Sequence, residues 1–204
     1  MIKNIIINLL CLILLSCISV GKYTQPKSLS AQTKEIPVYI TGFIEKNEAL
    51  GVIDGLNEWN YVLNNNIKYK FIGGFPITNL KQKIVEVNKN GIIIVIVPYI
   101  VLEDTLISKK LSPTKTIAIT TKFGHVIYVV KEKLKNNSNI TKLVVIHEIG
   151  HTLGIEHFDF ESIMNRKYGY SKYECIDKAM VLSVAFLNDL NWKSMRYCIT
   201  DALQ

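Results

Sequence analysis

Cysteine and histidine are scarce in this chain, four of each in 204 residues. Cys11 and Cys17 sit in an apolar leader, so export leaves Cys175 and Cys198 as the pair that an oxidising compartment could join. The leader's apolar core, Ile5–Leu15, is too short to span a bilayer as a permanent helix. Aromatic and basic residues are not interleaved as nucleic-acid binding requires, which removes DNA and RNA as expected partners. The formal charge of +7 is scattered, with Lys109-Lys110 and Lys131–Lys135 the densest runs; they read as a solvated basic face rather than a polyanion site. Length excludes a second domain, because 204 residues hold one domain with a real core but not two plus a signal.

What is present is concentrated. Three of the four histidines fall in residues 147–157, His-Glu-Ile-Gly-His-Thr-Leu-Gly-Ile-Glu-His. Histidines four apart on a helix face the same way, so His147 and His151 can grip one metal ion. Glu148 lies between them, where a carboxylate can reach a water on that metal. Gly154 lets the chain leave the helix sharply, because glycine takes backbone conformations that other residues avoid. The turn delivers His157 as a third nitrogen ligand and leaves a fourth zinc position open, which marks a catalytic site rather than a structural one. The short His-Glu-x-x-His form recurs by chance, whereas five fixed residues at this spacing do so in roughly one window in several million. His125, the fourth histidine, opens a strand and has no partner at ligand spacing.

This stretch resembles the metzincin clan of zinc endopeptidases, whose pattern is His-Glu-x-x-His-x-x-Gly-x-x-His followed by a methionine turn. Met164, in Ser162-Ile163-Met164-Asn165, stands seven residues after His157 and is similar to the clan's methionine beneath the zinc. The short gap and the wording of the motif look most like the matrixin branch. Two residues depart from the branch patterns. Phe158 follows the third histidine where matrixins carry serine, adamalysins aspartate, and astacins and serralysins glutamate. Arg166 stands two after Met164, where astacins and serralysins place a zinc-binding tyrosine.

The resemblance implies an α+β fold: a mixed twisted sheet with one antiparallel edge strand, an active-site helix and a C-terminal helix. It implies one catalytic Zn2+ on His147, His151 and His157, with Glu148 as the catalytic base. It also implies that an edge strand hydrogen-bonds the substrate backbone. Thr116–Thr121 is the best candidate, with Thr116, Ala118 and Thr120 as substrate-binding positions. Tyr168 and Tyr170, between the methionine turn and the last helix, are candidate walls of the side-chain pocket, or else surface tyrosines. A structural Ca2+ finds no supporting motif. The implied activity is hydrolysis of internal peptide bonds of extracytoplasmic polypeptides, through Glu148-assisted attack of water activated at zinc. The rival is a surface lipoprotein that keeps the scaffold and its metal for adhesion or signalling. Such a scaffold could lose its carboxylate freely, and Glu148 is present. The expected state is a monomer.

Residues 1–16 read as an export signal, with Lys3 as its positive region. Leu14-Leu15-Ser16-Cys17 resembles the bacterial lipobox, in which Cys17 would be lipidated and anchor the chain to a membrane; the alternative is a secretion signal cut near Ser19 or Gly21. Residues 17–35 are a polar tether, and 36–204 the catalytic domain. Residues 18–35 hold no cysteine, so latency of the cysteine-switch type is not expected.

Patterning predicts strands at Ile36–Ile40, Ile67–Phe71, Gly91–Pro98, Thr116–Thr121 and His125–Val130, with helices on one side of the sheet. Ala49, Val52, Ile53, Leu56, Trp59 and Leu63 recur at helical spacing after Asn47, a candidate cap. Gly51 and Gly55 on this helix suggest close approach to the sheet, and Trp59 reads as a core anchor. Val144-Val145-Ile146 favours strand by propensity, but helical turning sets Val145, Ile146, Ile149 and Leu153 opposite the histidines, so a helix capped by Asn139 or Thr141 is expected. Ser171-Lys172-Tyr173-Glu174 matches a capping box opening the last helix. From Cys175 to Leu190 a helix rises roughly 22 Å, and eight extended residues span about 26–29 Å. Cys175 and Cys198 therefore meet only if the tail runs back along that helix.

Overall fold

The computed structural model describes residues 34–64, 66–87, 90–112, 115–121, 125–166 and 174–198. The leader, Cys17, most of the tether, Tyr168, Tyr170 and Ser171–Tyr173 lie outside the described residues. Strand β1 (Lys34–Gly42) starts inside the stretch read as tether, and is followed by α1 (Lys46–Leu63), β2 (Ile67–Gly74), α2 (Leu80–Val87) and β3 (Ile92–Val97). Then come α3 (Tyr99–Ser108), β4 (Ala118–Thr120), β5 (Val126–Val130), the one-turn α4 (Lys131–Leu134), α5 (Ser138–Thr152) and α6 (Lys178–Leu187). The five strands lie in the order β2-β1-β3-β5-β4. Four run parallel, and β4 closes one edge antiparallel to β5, so the sheet is mixed as expected.

All six residues of β3 are buried, which is why this strand reads as an unbroken β-branched run. Side chains alternate along each strand, so the sheet feeds two cores. Val38, Ile40, Ile92, Ile94, Ile96, Ile127 and Val129 pack with residues of α1, α5 and α6. Ile93, Val95, Val97, Val126 and Val130 face the other way, onto Val87 of α2 and Leu102 and Leu106 of α3. Helices therefore cover both faces rather than one. Neither α2 nor α3 announces itself in sequence. The first is eight residues long, and the second leaves Ile100, Val101 and Ile107 exposed, which blurs any single apolar stripe.

Three helix starts differ from the predicted ones. Helix α1 is capped at Glu45 rather than Asn47: the Glu45 N–H donates to the Glu48 carboxylate at 3.0 Å. Glu48 is fully buried, and Lys131 Nζ lies 2.6 Å from the same oxygen, so the charge is paired where it is desolvated. Lys131 is thus not part of a solvated basic face. Helix α5 is capped by Asn137, whose side chain accepts from the Ile140 N–H at 3.1 Å, not by Asn139 or Thr141. Helix α6 begins at Lys178 under Asp177, which accepts from the Met180 N–H at 2.9 Å; residues 174–177 precede it unwound, so the pattern at Ser171–Glu174 does not open it.

Gly51 and Gly55 face α5, not the sheet. A Cβ at Gly51 would stand 2.4 Å from Ser138 O and 2.6 Å from Thr141 Cβ, and one at Gly55 2.9 Å from Val145 Cγ1. The two helices touch backbone to backbone, which only hydrogen at these positions allows. Trp59, fully buried, adds a polar tie beyond its packing: its Nε1–H donates to Ile146 O at 3.0 Å.

Candidate active site and metal centre

Helix α5 overrides the strand propensity of its own sequence because it is enclosed. From Val144 to Gly150 every residue is buried, so the β-branched side chains pack between α1 and the sheet. The Asn137 cap and the Trp59 bond to Ile146 O fix its axis just before the first histidine. Its far end is a glycine turn: Ile155 N–H donates to Gly150 O at 3.0 Å and Gly154 N–H to His151 O at 3.1 Å, with Gly154 at φ +91°. That conformation is open to glycine at little cost, and it reverses the chain so that His157 returns to the helix face.

The three imidazoles converge. His151 Nε2 and His157 Nε2 lie 3.1 and 3.3 Å from His147 Nε2, and one ligand atom from each ring falls within 4.8 Å of the others. Two nitrogens bound at 2.0–2.1 Å to a tetrahedral zinc stand about 3.3–3.4 Å apart, so the spacing fits that ion. The other ring nitrogens are committed: His147 Nδ1 lies 2.7 Å from Ile163 O and His151 Nδ1 2.7 Å from Ile155 O. A carbonyl can only accept, so each Nδ1 carries the proton and each Nε2 presents its lone pair to the centre. Burial holds the rings neutral, lowering His147 to about 3 and shifting His151 and His157 down as well. Neutral imidazole is the form that binds metal. Among the described residues no other group of histidine, cysteine or acidic side chains clusters this way, and His125 stays apart.

Glu148 is 5% exposed, and its carboxylate accepts a hydrogen bond from Thr120 Oγ1. Burial raises it to about 7, and the Thr120 bond opposes the rise. A cation on the imidazoles would draw it down again.

Beside the histidines, Met164 is held by a hydrogen-bonded support that involves Ser162 and Asp177. Met164 is fully buried against Gly150, where a Cβ would stand 2.6 Å from its sulfur. The methionine thus fits against the helix turn between His147 and His151 because that turn carries a glycine. Buried Ser162 donates to Asp177 Oδ2 at 2.6 Å and accepts from the Met164 N–H at 3.3 Å. Since the other oxygen of Asp177 caps α6, one carboxylate ties the last helix to the segment whose Ile163 carbonyl orients His147. Neither Ser162 nor Asp177 was singled out from sequence. Asp177 three residues ahead of Met180 is an ordinary capping spacing, obscured by the capping-box pattern upstream.

Of the predicted edge positions, two are placed as expected. Thr121 N–H bonds Val126 O at 2.9 Å and Val130 N–H bonds Ile117 O at 2.8 Å, while Ala118 lies opposite Val129 and Thr120 opposite Ile127. The antiparallel alternation then turns the N–H and C=O of Ala118 and Thr120 outward, to the open edge. Thr116 is not on that edge. Its N–H and hydroxyl both bond Ser112 O, at 2.9 and 2.8 Å, which folds it into a turn before the strand. Cys175 and Cys198 are joined, with Cα atoms 6.1 Å apart, so the tail does return to the segment before the last helix; on the way Arg196 N–H donates to Val62 O at the end of α1 at 3.0 Å, and Cys198 N–H donates to Ile176 O at 2.9 Å. Phe158, at the position where the branches differ, stacks on Phe160 with ring centres 4.7 Å apart.

Comparison with known proteins bears on the fold and on the family. Archaemetzincin from Methanopyrus kandleri superposes with a TM-score of 0.51 at 11% identity, over 79% of this chain and 99% of that one. Myroilysin aligns with a TM-score of 0.34 at 14% identity, over 90% of this chain and 72% of its own. No curated protein matches by sequence. The family model described as Matrixin matches residues 58–180, more than half of the 204 residues. Since that match starts within α1 and ends within α6, it takes in the whole metal face and not the motif alone, and the chain belongs to the matrixin family of zinc metalloproteases.

Proposed function

We propose that this protein is an endopeptidase that cleaves internal bonds of extended polypeptides outside the cytoplasm. The observation that carries the reading is a juxtaposition. Buried Glu148 follows His147 on the helix that carries two of three converging imidazoles, and its carboxylate is hydrogen-bonded to a sheet edge whose backbone groups point outward. An extended peptide can add to Ala118 and Thr120 as one more strand, which holds its carbonyls in line over the histidines. His147, His151 and His157 would hold the zinc. When bound, zinc supplies Lewis acidity, making water nucleophilic near neutral pH and stabilising charge on the scissile carbonyl oxygen. Glu148 takes the proton of the attacking water and passes it to the nitrogen of the leaving amine. Backbone pairing carries little side-chain preference, so selectivity falls to residues 165–170 after the methionine. The test is a library of blocked peptides read by mass spectrometry. Cuts are expected at internal bonds, with inhibition by a peptide hydroxamate bearing a bulky apolar group. Action on single amino-acid derivatives alone would overturn the endopeptidase reading.

The same reading sets the enzyme on a membrane through Cys17, on the strength of Leu14-Leu15-Ser16-Cys17. Cys17→Ala is expected to move the protein out of the membrane fraction or to stall its maturation. A wild-type protein found soluble, with its N-terminus downstream of residue 17, would dismiss the anchor and leave the peptidase reading standing.

A further inference from the structure

Thr120 takes part in two structures at once. Its backbone N–H and C=O lie on the open edge of β4, while its hydroxyl donates to Glu148 Oε2 across a separation of 28 residues. Among the described residues no other side chain donates to that carboxylate. We propose that Thr120 is a positioning residue for Glu148: its hydroxyl occupies one carboxylate oxygen and leaves the other to face the reacting atoms. A β-branched side chain on a strand has few χ1 choices, so the direction of the hydroxyl is set by the backbone of β4. A peptide that pairs with that backbone stiffens the element which aims the base. Substrate docking and base alignment then run through one residue. This inference rests on the peptidase reading above and adds to it a role that neither the histidine motif nor the fold contains.

The experiment compares the zinc-loaded mature protein with its Thr120→Val and Thr120→Ser variants on an internally quenched peptide. Valine keeps the branched shape and the edge backbone but removes the donor; serine keeps the donor. For Thr120→Val, kcat is expected to fall roughly 10–100-fold, as for other supporting hydrogen bonds of metal sites, with zinc still bound. KM should stay within about twofold, because the edge pairing is untouched, and Thr120→Ser should recover kcat to within about threefold of wild type. A second readout needs no turnover. The infrared carboxylate band of Glu148, assigned by difference against Glu148→Gln, should shift in Thr120→Val and not in Thr120→Ser. The proposal is overturned by a Thr120→Val enzyme with wild-type kcat, by a serine variant as impaired as the valine one, by an effect confined to KM, or by an unmoved band. Failure of the peptidase reading looks different: the wild type itself would leave the peptide intact.

Discussion

Replacing Glu148 with glutamine is expected to lower peptide hydrolysis by roughly 10²–10⁴-fold or more while about one zinc per chain is retained. Glutamine has the size and polarity of glutamate, and its amide oxygen can still accept the Thr120 hydroxyl, so the enclosure around residue 148 survives. What it cannot do is receive a proton. The metal ligands are separate side chains whose orientations come from Ile163 and Ile155 carbonyls, and nothing in that arrangement runs through residue 148. Activity and metal content should therefore part company. The check is a rate on the same quenched peptide alongside metal analysis of the same preparation. A Glu148→Gln enzyme that still turns over would move the base elsewhere.

His157→Ala should behave in the opposite way and lose the metal itself. His147 and His151 are fixed by the helix, but His157 arrives on a turn, and its Nε2 completes the set at 3.3 Å from His147. With two imidazoles left, the site lacks one of the three protein ligands that a catalytic zinc needs. The loss of affinity should exceed the roughly 10–100-fold typical of removing an outer hydrogen-bond partner. Zinc per chain after dialysis against a weak chelator is the measurement, with circular dichroism as a control. The fold should persist, because His157 is exposed and the core beneath it is not built on its ring. Full zinc retention by this variant would dismiss the three-histidine site.

The metal face was the most legible part of the chain, since side-chain identity and spacing alone dictate which atoms can converge on one ion. The buried strand Ile92–Val97 was legible for a similar reason: a strand covered on both faces leaves no position for a polar residue. Legibility failed where the local pattern and the tertiary contact disagree. Ser171–Glu174 carries the form of a capping box, yet α6 starts at Lys178 because Asp177 binds both its first turn and Ser162. The edge strand was drawn too long, because Thr116 satisfies its backbone within its own turn. The contact between Thr120 and Glu148 joins residues 28 apart, and no one-dimensional period encodes it.

Gly51 and Gly55 bear on how chains of this kind can be told apart or built anew. They lie on a helix that holds no metal ligand, yet they set how deeply the ligand-bearing helix can sit. A chain carrying the histidine motif with bulky residues at these two places would have to hold its metal helix further out. Trp59 would then fall short of Ile146, and the imidazoles would shift relative to the open strand edge. Grafting the eleven-residue motif onto another helix transplants the ligands without the recess they require. The paired small residues upstream are a second signature, to be looked for together with the histidines when a genome is searched or a scaffold is chosen.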